Sequence, residues 1–370
     1  MPVNKTDIDH FFMLAAKFVV LDVRSPAEFA HAHIPGAYNL PLFDNEERRV
    51  VGTAYKQESR EKAIKIGLQY FGPKMVKMIE EIEKLTAGSK LKEESKTVIV
   101  HCWRGGMRSA GVAWLLDLYG FKVYTLSGGY KSFRQWAHRQ FATTYNFRII
   151  GGYTGSGKTG ILAEMKRRGK ATIDLEALAN HKGSSFGSIG MPPQPSQEMF
   201  ENLLALELHR VSGTEAHAEA NNSSVILLPA TNHQPSTIWI EDESRRIGNV
   251  NIPLDMWEQM RTTPVYFLDI PFEERLNNII KDYGKGDREK IVNAIIRIKK
   301  RLGGLETKAA INYLLEDDLK ECFRILLTYY DKYYLKGVQS REKHLVNYIE
   351  CSHVLAAENA SKLLSAKELV

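Results

Sequence analysis

Cysteine is scarce in this chain: 370 residues hold only Cys102, Cys322 and Cys351. Three thiols at these spacings build neither a disulfide framework nor a zinc site, so a reducing compartment is expected. Long apolar runs are missing as well, and none approaches the roughly 18–20 residues of a membrane span. The opening Met-Pro-Val-Asn-Lys-Thr-Asp has no basic patch leading into an apolar stretch, which argues against a secretory leader. These absences point to a cytoplasmic protein with no membrane partner. Internal repeats are lacking too. Neither charge sign dominates: the net charge is +6, with 25% charged and 44% hydrophobic residues, ordinary values for a soluble globular chain.

What is present is unevenly spread. Residues 1–146 carry 21 Lys+Arg against 15 Asp+Glu, whereas the rest carries 29 of each. Within 101–146, six basic residues are opposed only by Asp117. The positive excess collects around Cys102 and predicts an anionic partner there, with a merely solvated basic surface as the alternative.

The length implies two domains, and the residue pattern places them at 1–141 and 147–370. Phe18–Asp22, Thr97–His101 and Lys122–Leu126 read as short buried strands. Between the first two, Glu58–Lys84 is helical in composition, interrupted at Phe71-Gly-Pro73. Helices are expected at about Ser109–Tyr119 and Tyr130–Phe141. Strands alternating with helices predict a parallel sheet. The second domain opens with a strand at Phe147–Ile150, and Ile238–Ile240 and Val265–Ile270 read as further strands. Residues 183–197, rich in Gly, Ser and Pro, predict a long functional loop. From about Arg288 the pattern is helical to near the end, with Ile291, Ile295, Ile298 and Leu302 on one face. The apolar run Val225–Leu228, inside a polar stretch at 211–236, reads equally as strand or as surface excursion.

Behind the strand at 147–150 comes Gly152-Tyr-Thr-Gly155-Ser156-Gly157-Lys158-Thr159, a G-x-x-x-x-G-K-[ST] loop followed by a helix. Glycines let successive N–H groups turn into one concavity around phosphate oxygens. Lys158 adds a point charge, Thr159 offers a hydroxyl to a magnesium ion, and the helix directs its positive end inward. Gly152, Gly155, Ser156, Gly157, Lys158 and Thr159 are therefore the expected phosphate-binding residues.

A second loop, His101-Cys-Trp-Arg-Gly-Gly-Met-Arg-Ser109, lies between a strand and a helix. Loop N–H groups, the helix N-terminus, Arg104 and Arg108 should favour a thiolate at Cys102, making it a nucleophile beside an oxyanion cradle. Cys102, Arg104 and Arg108 are the expected catalytic residues. Cys322 and Cys351 lack such neighbours and are expected to be inert. On its own this loop also suits a cysteine phosphatase.

Upstream, Leu21-Asp-Val-Arg24, Ser25-Pro-Ala-Glu-Phe29, His33-Ile-Pro-Gly-Ala37 and Asn39-Leu-Pro41 resemble the signature of rhodanese-type sulfurtransferases. That likeness implies a rhodanese-like parallel-sheet domain whose cysteine carries sulfur or selenium. Asp22, Arg24 and Glu28 would have supporting roles. Further motifs extend the resemblance along nearly the whole chain: Val51–Gln57, Gly128–Lys131, Asp174–Glu176, Ala179–Ser184, Glu241–Ser244 and Ile298–Gly303. Together they resemble the tRNA 2-selenouridine synthases, which implies that the second domain is a P-loop NTPase-like α/β fold with a helical C-terminal part. Two departures stand out. Lys182 occupies the place of a usual arginine, and the segment 211–236 is long.

The resemblance implies a tRNA-modifying transferase acting on wobble 2-thiouridine. Geranyl diphosphate would first alkylate the 2-thio group, and selenophosphate would then replace it with selenium. Its partners would be tRNA and a selenophosphate-supplying enzyme. The phosphate loop is assigned to the prenyl diphosphate, and Glu241 and Asp242 to positioning a magnesium ion or the substrate. No metal ligand set is assigned beyond that. Arg134, Arg139, Lys299, Lys300 and Arg301 are the expected tRNA contacts, each with a solvated helix charge as its alternative. His181 reads equally as general acid or substrate contact. The tyrosine pairs at 329–330 and 333–334 read as half-buried packing, with stacking on a splayed base as the alternative. The main rival is a rhodanese-type sulfurtransferase fused to an ATP-dependent kinase or ATPase.

Overall fold

In the computed structural model, residues 4–87, 96–212, 237–284, 286–339 and 341–366 are described. Val225–Leu228 and nearly all of the 211–236 segment lie outside them. The described residues divide into one unit up to Gln140 and another from Phe141 onward.

The first unit holds five strands: β1 (Asn4–Thr6), β2 (Val19–Asp22), β3 (Tyr38–Asn39), β4 (Thr97–His101) and β5 (Lys122–Leu126). They form one sheet in the order β1-β5-β4-β2-β3, parallel throughout. Parallel strands covered on both faces read as continuous apolar runs, and every residue of β4 is buried. The register sets Asp22 opposite His101, so the carboxyl ends of β2 and β4 share one edge of the sheet. Val98, Val100, Val112, Leu116 and Phe121 pack the core beneath that edge. The helix Met107–Leu118 leaves the edge directly after the cysteine loop. Five elements go beyond the sequence reading: β1, which adds to the outer side of β5, the short strand β3, and helices at Ile8–Ala15, Pro26–His31 and Asn45–Gln57. The last is started by a capping box between Asp44 and Glu47.

In the second unit the strands are β6 (Phe147–Gly152), β7 (Ala171–Ile173), β8 (Ile238–Glu241), β9 (Arg246–Ile247), β10 (Val250–Asn251), β11 (Val265–Asp269) and β12 (Val346–Glu350). Five of them form a parallel sheet in the order β12-β11-β6-β8-β7, while β9 and β10 pair as a short antiparallel hairpin. The first strand in chain order, β6, is central, so connections leave it in both directions. Ligands bind at the carboxyl ends of strands at such a switch point, which is where the phosphate loop lies.

The expectation of helix from Arg288 to near the end needs correcting. Helices run over Arg288–Leu302, Gly304–Leu315 and Leu319–Gln339, but Val346–Glu350 is an edge strand parallel to β11. Its β-branched and aromatic residues pair along an existing strand instead of continuing a helix. The three helices enclose their own core of Ile291, Ile295, Ile298, Leu314, Phe323 and Leu327. The chain closes with the helix Ala356–Ala366, whose Ala357 carbonyl and Ser361 hydroxyl accept hydrogen bonds from Arg168. No helix among the described residues is long and apolar enough to cross a membrane.

Candidate functional site

Cys102 sits at the carboxyl end of β4 and is 3% exposed. The Gly106 N–H donates to its Sγ at 3.3 Å, and the Ser109 hydroxyl lies at 3.3 Å from the same atom. Burial alone would raise this thiol. Ser109 and the Arg104 backbone, with a smaller effect of the Arg108 charge, bring it below the ordinary cysteine value. Two glycines make the loop feasible. Gly105 and Gly129 have φ of +65° and +60°, and a Cβ on Gly129 would collide with the Cys102 carbonyl. Behind them, the Tyr130 and Lys131 N–H groups donate to the Cys102 and Trp103 carbonyls at 2.9 Å.

The wall of this site is a buried charge pair. Arg24 is 1% exposed and grips Asp22 through Nε and Nη2, while Nη2 also donates to the Ala32 carbonyl at 2.8 Å. Its guanidinium lies 3.9 Å from the Tyr130 ring centre. The pair therefore ties the end of β2 to the loop at Ala32. Arg108 favours the thiolate through its charge, as expected, while its guanidinium is hydrogen-bonded to a carboxylate. Its Nη1 and Nη2 donate to Glu28 at 2.7 and 3.3 Å. Arg104 contributes its backbone to the thiolate, and its side chain is exposed. Cys322 and Cys351 fit their inert assignment, since burial pushes both thiols up, Cys322 to about 12.

The phosphate loop of the second unit opens into a cavity of about 1170 Å³. Gly155, Ser156, Gly157, Lys158 and Thr159 line it. Gly155 and Gly157 have φ of +85° and +72°, conformations that turn the loop amides inward. The Ser156 hydroxyl and N–H both donate to the Tyr153 carbonyl, at 2.6 and 3.2 Å, so this residue shapes the loop from within. Gly152 lies behind the cradle. Its carbonyl accepts from Lys158 Nζ at 3.2 Å, and its N–H donates to the Tyr334 hydroxyl at 3.4 Å. Arg275, 3% exposed, anchors the loop from below by donating to the Thr154 carbonyl and to both oxygens of Asp331.

A group of carboxyls stands beside Lys158. Thr159 Oγ1 donates to Glu176 at 3.3 Å, and the Glu176 N–H donates to Glu241 at 2.9 Å. The second oxygen of Glu241 is buried without a hydrogen-bond partner. Burial, then Glu176, raises Glu241 well above the usual carboxyl range, and the same two causes push Glu243 up to about 8. Asp242 lines the cavity while accepting from Arg341 at 2.6 Å and from the Tyr334 hydroxyl at 3.2 Å. Glu176 and Glu243 line the cavity although sequence reasoning assigned them no role. The recurring Asp174-Leu-Glu176 and Glu241-Asp-Glu-Ser244 motifs were the available signal.

The lining also includes an apolar and aromatic set: Phe186, Tyr283, Phe323, Leu326, Leu327 and Tyr330. Tyr329, Tyr333 and Tyr334 reach the cavity as well, so the tyrosines assigned to packing also face the site. Lys182 lines it with Nζ 5.0 Å from the Tyr283 ring centre, a stacking role open to a point charge. His181 is buried and absent from the cavity wall. Of the basic residues assigned to tRNA, Arg301 borders the cavity. Lys299, Lys300 and Arg301 are exposed in the last turn of their helix, where its dipole favours cations. Arg134 and Arg139 lie on the helix Gly129–Ala142 of the first unit.

The fold and these two sites define a rhodanese-like cysteine-loop domain joined to a P-loop domain. Residues 13–135 match the rhodanese-like domain, and residues 145–220 and 217–362 match the tRNA 2-selenouridine synthase AAA domain. The chain belongs to the tRNA 2-selenouridine synthase family of enzymes. It is 34% identical over 271 residues to the tRNA 2-selenouridine synthase of Cupriavidus pinatubonensis, covering 72% of this chain and 66% of that protein, just under two thirds of its length. A second relative of that description, from Bdellovibrio bacteriovorus, is 32% identical over 364 residues and is covered to 89%, with 87% of this chain aligned. A third, from Pseudomonas syringae pv. syringae, is 32% identical over 325 residues, covering 82% of this chain and 80% of that protein.

Proposed function

We propose that this chain converts the wobble 2-thiouridine of tRNA to 2-selenouridine in two steps divided between its two sites. In the first, the thiocarbonyl sulfur attacks C1 of geranyl diphosphate, the C–O bond breaks and diphosphate leaves. In the second, selenium from selenophosphate adds to C2, the sulfur departs as geranyl thiolate, and water releases phosphate from selenium. The order has a chemical reason, because a thiocarbonyl sulfur leaves poorly and an S-alkylated one leaves as a thiolate.

The observation that carries this reading is the mixed lining of one cavity, in which the phosphate loop and Lys158 share the wall with Phe186, Tyr283, Phe323, Leu326, Leu327 and Tyr330. An amphiphilic diphosphate uses both kinds of lining: the loop amides and Lys158 take the charge that grows on the departing diphosphate, while the apolar set shelters the ten-carbon chain. Magnesium fits this end of the site. No group of three or more His, Cys, Asp or Glu side chains among the described residues is arranged to hold a metal alone. Magnesium is commonly held by one or two protein oxygens together with substrate phosphates. Thr159 and Glu176, with the unpartnered Glu241 oxygen behind them, supply such oxygens. Bound there, the ion would offset diphosphate charge. Cys102, held towards its thiolate, suits the selenium step. The basic surface of the first unit and the exposed cations at 299–301 suit the tRNA backbone.

Thermal denaturation separates this reading from a sulfurtransferase fused to an ATPase. Geranyl diphosphate should raise the melting temperature of the intact chain and lose that effect in Lys158→Ala. Stabilisation by ATP and none by geranyl diphosphate would favour the rival.

A further inference from the structure

The spacing from Cys102 to Arg108 is that of a cysteine-phosphatase loop, in which the arginine fork would grip a tetrahedral dianion through paired charge-assisted hydrogen bonds. In this chain the fork is already occupied. Glu28, eighty positions upstream in the chain, takes both Arg108 nitrogens at 2.7 and 3.3 Å. Glu28 is itself held in place. The Ser25 N–H donates to its Oε2 at 3.0 Å as part of a capping box, and Arg48 Nε lies 3.7 Å from the same oxygen. Burial by itself would raise this carboxyl, but Arg108 and Ser25 keep it below its usual range, so it is anionic at neutral pH.

We infer that Glu28 sets the anion selectivity of the Cys102 loop, excluding phosphate-like dianions by withholding the Arg108 guanidinium from them. The hydrogen-bond donors inside the loop are neutral: the Gly106 N–H and the Ser109 hydroxyl, both 3.3 Å from Sγ, with the backbone of Arg104 and Ser109. Neutral dipoles suffice for a single negative charge on sulfur, or on a sulfur or selenium atom attached to it. They leave a phosphate dianion under-neutralised in a buried site. Glu28 thereby keeps the loop from being blocked by the inorganic phosphate and phosphate esters abundant in any cell. It goes beyond the proposed reaction; combined with that reading, it means that selenophosphate meets the loop selenium first.

The test needs neither tRNA nor selenium. The intact chain is alkylated with iodoacetamide at constant ionic strength under increasing inorganic phosphate, and modification of the Cys102 peptide is followed by mass spectrometry. The oxygen that accepts from the Ser25 N–H also accepts from Arg108 Nη1. Glu28→Gln keeps the shape and removes the charge, so that it turns the ion pair into a weaker bond to a neutral acceptor and loosens Arg108. It should lower the half-protecting phosphate concentration about tenfold or more, the scale of a charge-assisted hydrogen bond. Adding Arg108→Gln to it should restore the wild-type value. Unaltered protection in a folded Glu28→Gln protein would overturn the inference. Should Glu28→Gln not fold, Glu28→Asp, whose shorter side chain loosens the pair with Arg108, decides in its place: it too should lower the half-protecting phosphate concentration, and unaltered protection would overturn the inference.

Discussion

Replacing Ser109 with alanine tests how the Cys102 thiolate is stabilised. In the thiol form, the Ser109 hydroxyl donates to the Gly106 carbonyl at 3.0 Å and can accept from Sγ at 3.3 Å. Ionisation of the thiol requires that hydroxyl to swing its proton to sulfur, giving up Gly106. The net gain is therefore smaller than for a free donor to a charge, and about 1.4 kcal/mol is a reasonable magnitude. That energy is about tenfold in thiolate population. Ser109 is 1% exposed and Cys102 3%, so water does not readily replace the lost donor. Because the hydroxyl favours the charged form, its removal moves the titration midpoint upward. Iodoacetamide alkylation of Cys102 in Ser109→Ala should slow about tenfold at neutral pH and converge on the wild-type rate at high pH. Ser109→Thr, which keeps the hydroxyl, should stay near wild type. Superimposable pH profiles for wild type and Ser109→Ala would refute the reasoning and leave the Gly106 and Arg104 N–H groups as the stabilising donors.

Glu243 gives a pH-dependent prediction of opposite sign. Its folded carboxyl is pushed up to about 8 from an ordinary 4.5, so the stability from its retained proton is full below about 4.5 and lost as pH rises through 8. Glu243→Gln should thus raise the melting temperature above pH 8 and leave it unchanged near pH 4.5; a uniform shift at both pH values would count against the assignment. Gly129→Ala should disrupt the cysteine loop, since its Cβ meets the Cys102 carbonyl and the Gly105 N–H at a positive φ. Its signature is a changed Cys102 alkylation rate along with a lower melting temperature, and an unchanged rate would contradict it. Arg24→Met leaves the buried Asp22 carboxylate without its partner. A loss of about 3–5 kcal/mol in denaturant unfolding is expected, and a loss below about 1 kcal/mol would show the pair to be dispensable.

Both reactive loops were legible in the sequence because each depends on backbone geometry that glycine advertises locally. The G-x-x-x-x-G-K-[ST] run and the Gly-flanked Cys102 carry their structural reason within a dozen residues. Contacts made across the chain were not legible. Arg108 reads as a cation for Cys102, but its pairing with Glu28 needs the fold, and Ser109 looks like an ordinary helix start until its hydroxyl is placed beside Sγ. Glu176 and Glu243 are 67 positions apart, and only the parallel pairing of β7 with β8 brings their segments to the same cavity. The edge strand Val346–Glu350 was hidden for another reason: five residues after a long helical run show too few alternations to overturn the helix pattern. The tyrosines at 329–334 were assigned to packing from their i, i+4 spacing alone, and spacing does not say whether a cavity or a helix faces them.

The central claim is that alkylation and selenation are separable and belong to different sites. Nucleoside mass spectrometry after single-turnover reactions on two tRNA substrates tests it most directly, one carrying 2-thiouridine and one already S-geranylated. Cys102→Ser should geranylate the first and leave the second unselenated. Lys158→Ala should leave the first unalkylated and convert the second to 2-selenouridine. Full selenation by Cys102→Ser, or normal geranylation by Lys158→Ala, would contradict the account.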